Sequence, residues 1–231
     1  MTPAPLIVTS ATRLPASRFW QESALGQSLQ RLGRVEAAHP LKMAIAFENI
    51  AGLPTVYNRI IDAAPPGALL VFVHDDVWLD DYFFAQRIAE GLAQYDAIGV
   101  AGNKRRVPGQ PGWAFVDAKF TWDERANLSG SVGHGKTPFG AVSHFGPAPA
   151  DCELLDGVLL AARADALRQS GVRFDERFAF HFYDLDFCRS LRQQGLRIGT
   201  WPLAVTHQSG GAFGTPAWQQ AHRSYQDKWP D

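Results

Sequence analysis

The sequence predicts an α/β protein, with a mostly parallel central sheet flanked by helices in a single domain that carries a long irregular insertion. Three observations carry this. From the N-terminus to Asn103, short apolar runs alternate with longer amphipathic segments, the pattern of parallel βαβ units joined by right-handed crossovers. Ala68–Val73 (ALLVFV) is apolar throughout, as a strand covered on both faces requires. The 231 residues, 46% of them hydrophobic, allow one large domain or two small ones, with a substantial core.

Leu6–Thr9 reads as a short strand, and Ser17–Leu32 as a helix that Gly33 ends. Lys42–Phe47 is a second strand. Pro54–Ala63 is a helix with proline in its first turn, closed by Pro65-Pro66-Gly67. Ala68–Val73 follows as the central strand. In Asp80–Tyr95 the residues Phe84, Ile88, Leu92 and Tyr95 share one helical face. Ile98–Ala101 is another strand. Between Lys104 and Asp151 periodicity is lost among prolines and glycines; a structureless stretch of that length is unusual, so it holds functional loops or hairpins that the pattern does not resolve. Regularity returns with a strand at Val158–Ala162, a helix at Ala164–Gln169 ended by Gly171, a helix at Asp184–Gln194 ended by Gly195, and a strand at Arg197–Trp201. A loop with Gly210, Gly211 and Gly214 precedes a helix from Pro216 to Lys228.

Lysine and arginine number 22 against 23 aspartates and glutamates, a net charge of −1. That balance gives no electrostatic footprint for nucleic acid or for an anionic membrane surface. Cys152 and Cys188 form no Cys-x-x-Cys pair and read as reduced, one of them as a buried helix residue. The N-terminal segment MTPAPLIVTSATRLP lacks the pattern of a secretory leader. No stretch approaches the roughly 18 apolar residues of a membrane span. The expected location is the cytoplasm.

Ligands of open α/β sheets bind beyond the carboxyl ends of the strands. That rule singles out Thr9-Ser10, Glu48-Asn49, His74-Asp75-Asp76 and Gly102-Asn103. In the HDD segment, hard carboxylate oxygens suit Mg²⁺ or Mn²⁺; a solvated acidic turn fits the segment equally well. In HFYDLDFC, Asp184 opens a helix whose dipole favours its ionised form near neutral pH. Asp186, two residues on, faces elsewhere; both are also ordinary first-turn capping acids. His207 lies beyond an apolar run, beside glycines, and suits a structural role or a ligand role, the latter favouring Mn²⁺ over Mg²⁺. There is no Walker-type P-loop, no Gly-x-Gly-x-x-Gly fingerprint and no Gly-x-Ser-x-Gly elbow.

The order of these segments carries a resemblance: His74-Asp75-Asp76, Leu155-Asp156-Gly157, Phe174-Asp175-Glu176, Tyr183-Asp184-Leu185-Asp186, then His207-x-Ser209-Gly210. It resembles the inverting GT-A glycosyltransferases of the family 2-like type, in a bacterial branch with HxD in place of DxD. The stretch N-x-x-G-L-P-x-x-Y-N (Asn49 to Asn58), H-F-Y-D-x-D (His181 to Asp186) and Lys228-Trp229 are similar to that branch, and the resemblance spans roughly residues 42 to 229. It implies a GT-A (Rossmann-like) fold whose single domain divides into a nucleotide-sugar-binding half (1–103), the irregular region (104–151) and an acceptor and catalytic half (152–231). Asp76 and His207 would ligate Mn²⁺ or Mg²⁺, and Asp184 would be the general base. Thr9, Ser10, Glu48, His74, Asp75, Asp156 and Gly157 would hold the donor. His181, Asp186 and Trp113 would lie on the acceptor side. His74 departs from the aspartate of many members. Ser224 to Trp229 reads SYQDKW where processive relatives carry Q-x-x-R-W, which argues against a polymer synthase.

The implied partners are a nucleotide-sugar, by default a UDP-sugar, and a sugar, glycolipid or protein acceptor in bacterial surface glycan or glycoconjugate synthesis. One displacement at the anomeric carbon needs a carboxylate base and a cation opposite the leaving diphosphate, and no protein nucleophile. A metal-dependent nucleotidyltransferase or nucleotide-sugar hydrolase would share the sheet and the acidic triplet. A non-catalytic nucleotide- or carbohydrate-binding module would not need Asp76, Asp184 and His207 together.

Overall fold

The run Leu69–Val73 is buried along its whole length, and the sheet is built outward from it. The computed structural model describes residues 5–34 and 41–230. The first four residues of the segment read above for a leader lie outside the described residues. In chain order the elements are β1 (Leu6–Ala11), α1 (Ala16–Glu22), α2 (Ala24–Leu32), β2 (Leu41–Ala46), α3 (Leu53–Ala63), β3 (Leu69–Val73), β4 (Val77–Leu79), α4 (Phe84–Gln94), β5 (Ala97–Gly99), β6 (Ala101–Asn103), β7 (Leu128–His134), β8 (Ala141–Gly146), β9 (Ala150–Asp151), β10 (Leu154–Leu155), β11 (Leu159–Arg163), α5 (Ala164–Ser170), α6 (Tyr183–Gln193), β12 (Ile198–Thr200), β13 (Val205–His207) and α7 (Pro216–Lys228).

A seven-stranded sheet runs β2-β1-β3-β11-β5-β12-β9. β1 is parallel to β2 and to β3, and β12 is parallel to β5. β11 is antiparallel to both of its neighbours, and β9 to β12. The expected α/β class and mostly parallel sheet are therefore present, with β11 reversed near the centre. A smaller sheet runs β10-β6-β7-β13-β4, with β8 paired to β7.

The reversal of β11 positions the site. Leu159 pairs with Val73, so the residues that precede β11, Asp156-Gly157, lie against those that follow β3, His74-Asp75-Asp76. β4 leaves that same segment for the second sheet, where Val77 pairs with His207. One strand end thus brings together chain segments some eighty and one hundred and thirty residues away.

Several elements differ from the sequence reading. The single helix expected at Ser17–Leu32 is two, because Ser23 is extended (φ −88°, ψ 147°) and caps the second by accepting from the Gly26 amide. The helix expected from Asp80 begins at Phe84. Asp80 instead accepts from the Thr206 hydroxyl and the Phe139 amide, and Asp81 from the Phe83 amide. Ile98–Ala101 splits at Val100 between the two sheets. The region from Lys104 to Asp151 is irregular up to Asn127, apart from the isolated bridges Gly112–Phe115 and Phe115–Trp122, and then holds a hairpin, β7 and β8 forming an antiparallel pair. The last helix is as expected, with Pro216 in its first turn and the Thr215 hydroxyl accepting from the Trp218 amide. Cys152 and Cys188 are free and buried, Cys188 on α6. Among the described residues no helix is long and apolar enough to cross a membrane.

Candidate active site

The two sheets meet at His74-Asp75-Asp76, and every group of the site is held by reference to that junction. The Tyr183 hydroxyl donates to the Gly157 carbonyl at 2.7 Å. Its oxygen also lies 2.9 Å from His74 Nε2. A carbonyl only accepts, so the tyrosine proton is committed to Gly157, and His74 must donate from Nε2. Nδ1 of His74 therefore keeps its lone pair. Burial lowers the His74 pKa to about 4, so the ring is a neutral nitrogen ligand at neutral pH. Phe180 stacks on it at 5.8 Å.

His207 Nε2 lies 3.3 Å from Asp76 Oδ1 and 3.1 Å from the Ser209 hydroxyl. The Gln208 amide donates to the Asp76 carbonyl at 3.0 Å. Burial pushes the Asp76 carboxyl up, but hydrogen bonds from His207 and Ser209 outweigh it and bring it to about 2. Burial likewise pulls His207 down, and the hydrogen bond to Asp76 with its charge more than reverses this. One ligand atom from each of His74, Asp76 and His207 lies within 4.8 Å of the other two. A lone-pair imidazole, an ionised carboxylate and a second imidazole are a fitting donor set for a divalent transition cation.

Asp184 stands in the first turn of α6 and accepts from the Gly157 amide at 2.9 Å. Phe182, just before the helix, holds a left-handed conformation (φ 65°). Its ring is stacked on His222 at 5.2 Å and packs on Trp218 and Tyr225. This strained residue aims Tyr183 and Asp184 toward Gly157. The expectation that the helix dipole keeps Asp184 ionised is corrected. Burial, and then the charge of Asp156, raise its pKa to about 7 against backbone hydrogen bonds that lower it. Burial raises Asp156 as well. A carboxyl poised near neutrality is suited to accepting a proton from a hydroxyl.

A cavity of about 540 Å³ contains His74, Asp156, Gly157, Asp184 and His207, together with Trp113 and His181. The structure thus brings together residues drawn from all three proposed segments of the chain. Thr9 and Ser10 do not join them. Both are fully buried within β1, with side-chain oxygens that have no partner among the described residues, so the expectation that they bind a donor is corrected. Glu48 is exposed just beyond β2, with φ 47°. The Asp75 carboxyl is pushed up by burial while the Thr12 hydroxyl hydrogen-bonds it.

Asp186 is also corrected. It is fully buried, with its carboxylate 2.6 Å from Lys228 Nζ and accepting from Trp229 Nε1 at 2.8 Å, so no acceptor reaches it. Lys228→Met keeps the stem and strands this buried charge. The expected loss is about 3 kcal/mol in urea unfolding at pH 7, shrinking as the pH falls, because burial raises the Asp186 pKa and protonation removes the charge; an unchanged midpoint at pH 7 would show that Asp186 is neutral there. Residues the sequence reading passed over are Thr12, which ends up beyond β1, Tyr183, which fixes the His74 tautomer, and Ser209. Tyr183 had a signal in its place inside the H-F-Y-D-x-D stretch, and Ser209 in the His207-x-Ser209-Gly210 segment.

A family model described as "glycosyltransferase like family" matches residues 22–222. No curated protein matches the sequence. Among solved structures the chain is similar to GalNAc-T7 with UDP, GalNAc and Mn²⁺, at 11% identity and a TM-score of 0.49 over 92% of this chain and 45% of that one. It is similar to the catalytic domain of Drosophila beta1,4galactosyltransferase 7 in complex with xylobiose (10%, 0.47, 95% and 79%). It is also similar to S. aureus TarS (12%, 0.48, 89% and 37%). This chain therefore spans less than half the length of the first and the third.

Proposed function

We propose that this chain, which belongs to the glycosyltransferase like family and has a GT-A-type α/β fold, moves a sugar from a nucleoside-diphosphate donor to a hydroxyl acceptor in one inverting, cation-dependent displacement. The observation that carries the reading is the meeting of Asp184 with His74 and His207 in one cavity, the two imidazoles clustering with Asp76. Those three side chains would hold a divalent cation, which would supply positive charge opposite the departing diphosphate. Two imidazoles in the set favour Mn²⁺ over Mg²⁺. Asp184 takes the acceptor proton as the hydroxyl attacks the anomeric carbon. Asp156 and Gly157 flank the sugar, and Tyr183 holds both His74 and Gly157 in place. Thr12, Glu48 and Asp75 face the nucleotide.

In this division residues 1–103 hold the nucleotide, 104–151 shape the acceptor side, and 152–231 supply the base. The donor is a UDP-sugar by default, and the product belongs to bacterial surface glycan or glycoconjugate synthesis on the cytoplasmic side. Support for these finer statements is the resemblance of the motifs. A thermal-shift screen of nucleoside diphosphates and their sugars with and without Mn²⁺ tests the reading. At 100-fold saturation, UDP with Mn²⁺ should raise the melting temperature by about 5–10 °C, and UDP alone far less. Cation-independent stabilisation, or release of pyrophosphate in place of a nucleoside diphosphate, would point to a different enzyme.

A further inference from the structure

The cavity is chemically mixed. Ionisable groups, among them His74, Asp156, Asp184 and His207, share its lining with aromatic rings, of which the segment between Lys104 and Asp151 supplies Trp113, Phe115, Trp122 and Phe145. Trp113 meets Phe145 edge-on at 5.0 Å, and Trp122 lies parallel to Phe145 at 5.9 Å. Phe115 meets Trp122 at 5.2 Å and Phe213 at 5.3 Å, both edge-on. This wall is continuous, yet Trp122 remains 54% exposed and Phe213 44% exposed. Rings left open beside a site of this size are surface awaiting an apolar ligand.

What the wall lacks is equally informative. No lysine, arginine, asparagine, glutamine or threonine among the described residues lines the cavity. An anionic acceptor would find carboxylates and no lysine or arginine. A polyol seated against Trp122, Phe145 and Phe213 would leave hydroxyls facing rings, with Ser143 and His134 the polar side chains that the same segment adds to the lining. A single ring serves as a platform for a sugar face, whereas rings set edge-on to one another form a pocket for a flat apolar body.

Resting on the sugar-transfer reading above, we propose that the acceptor is an uncharged alcohol or phenol whose hydroxyl is carried on an apolar, ring-bearing body. The ring seats against Trp122 and Phe213, which turns its hydroxyl toward Asp184. The acceptor oxygen bonds to the anomeric carbon as its proton passes to the Asp184 carboxylate. The bond from that carbon to the diphosphate oxygen breaks, and its electron pair leaves with the nucleoside diphosphate.

Calorimetry on the full chain with Mn²⁺ and UDP present, titrating 2-naphthol and separately cellobiose, tests this. The naphthol should bind at least about tenfold more tightly than the disaccharide, and Trp122→Ala should weaken it by about tenfold without changing UDP affinity. Phe213→Ala repeats the measurement should circular dichroism show that Trp122→Ala is unfolded. Cellobiose binding as tightly as naphthol, or naphthol affinity indifferent to the folded ring variant, overturns the proposal while UDP binding leaves the transfer reading standing. Failure of UDP to bind at all sinks the transfer reading, and the acceptor role with it.

Discussion

Asp76→Ala is expected to abolish cation-dependent donor binding and to lower turnover by about 10³-fold or more. The argument rests on charge. Of the three clustered side chains, His74 is a neutral ring with a pKa of about 4, and Asp76, at about 2, is the one anion. Removing it leaves two imidazoles to hold a dication close to the diphosphate. Asp76 is also what raises His207, so its loss changes the protonation of a second ligand. The fold should survive, since Asp76 lies in the junction between sheets and its side chain remains 29% exposed. Calorimetry with Mn²⁺ and UDP, and a transfer assay with and without EDTA, are the measurements. Full activity in Asp76→Ala, or activity that EDTA does not touch, would remove the cation from the mechanism.

The sequence reading reached the central sheet because burial on both faces leaves a plain mark: Leu69–Val73 has no polar residue to interrupt it. It reached α7 because Thr215, Pro216 and the amphipathic spacing are all local signals. It missed β7 because Leu128–His134 reads LSGSVGH, poor in apolar residues and rich in glycine. Those glycines are there for close approach. A side chain at Gly130, where φ is 94°, would overlap the Val100 carbonyl, and one at Gly133 would press on Thr206. Such a strand is specified by its neighbours, which no window of sequence contains.

The same distinction applies to the site. Asp76, Asp184 and His207 stand at the ends of recognisable elements; the antiparallel course of β11 brings Gly157, and with it Asp184, to the end of β3, and the β4–β13 pairing brings His207 there. The two-residue spacing sent Asp186 away from Asp184, as expected. Its destination depends on Lys228 and Trp229, more than forty residues on. Thr9 and Ser10 occupied the right strand but lay too early in it, since β1 runs on to Ala11 and the first residue beyond it is Thr12.

Asp184→Asn is expected to separate activity from stability. Asparagine keeps the acceptor oxygen for the Gly157 amide and loses the base, so transfer should fall by about 10²–10⁴-fold with donor affinity little changed. Wild-type turnover should rise with pH through about 7, the pKa to which burial and Asp156 bring this carboxyl, because only the ionised form accepts a proton. Stability runs the other way. The folded pKa lies above the ordinary 3.8. Between pH 4 and 7 the unfolded chain therefore has lost the proton that the folded chain still holds, and stability declines across that window. The shift corresponds to up to about 4 kcal/mol, or about 1–2 kcal/mol once solvent screening of a partly exposed group is allowed for. Asparagine carries no such cost. The variant should melt about 4 °C higher than wild type at pH 8 and at nearly the same temperature at pH 4. Melting curves at the two pH values and a transfer assay on the same preparation decide the matter. A variant that is both inactive and less stable at pH 8 would make Asp184 a structural residue, and one that still transfers sugar at the wild-type rate would leave the base to be found elsewhere in the cavity.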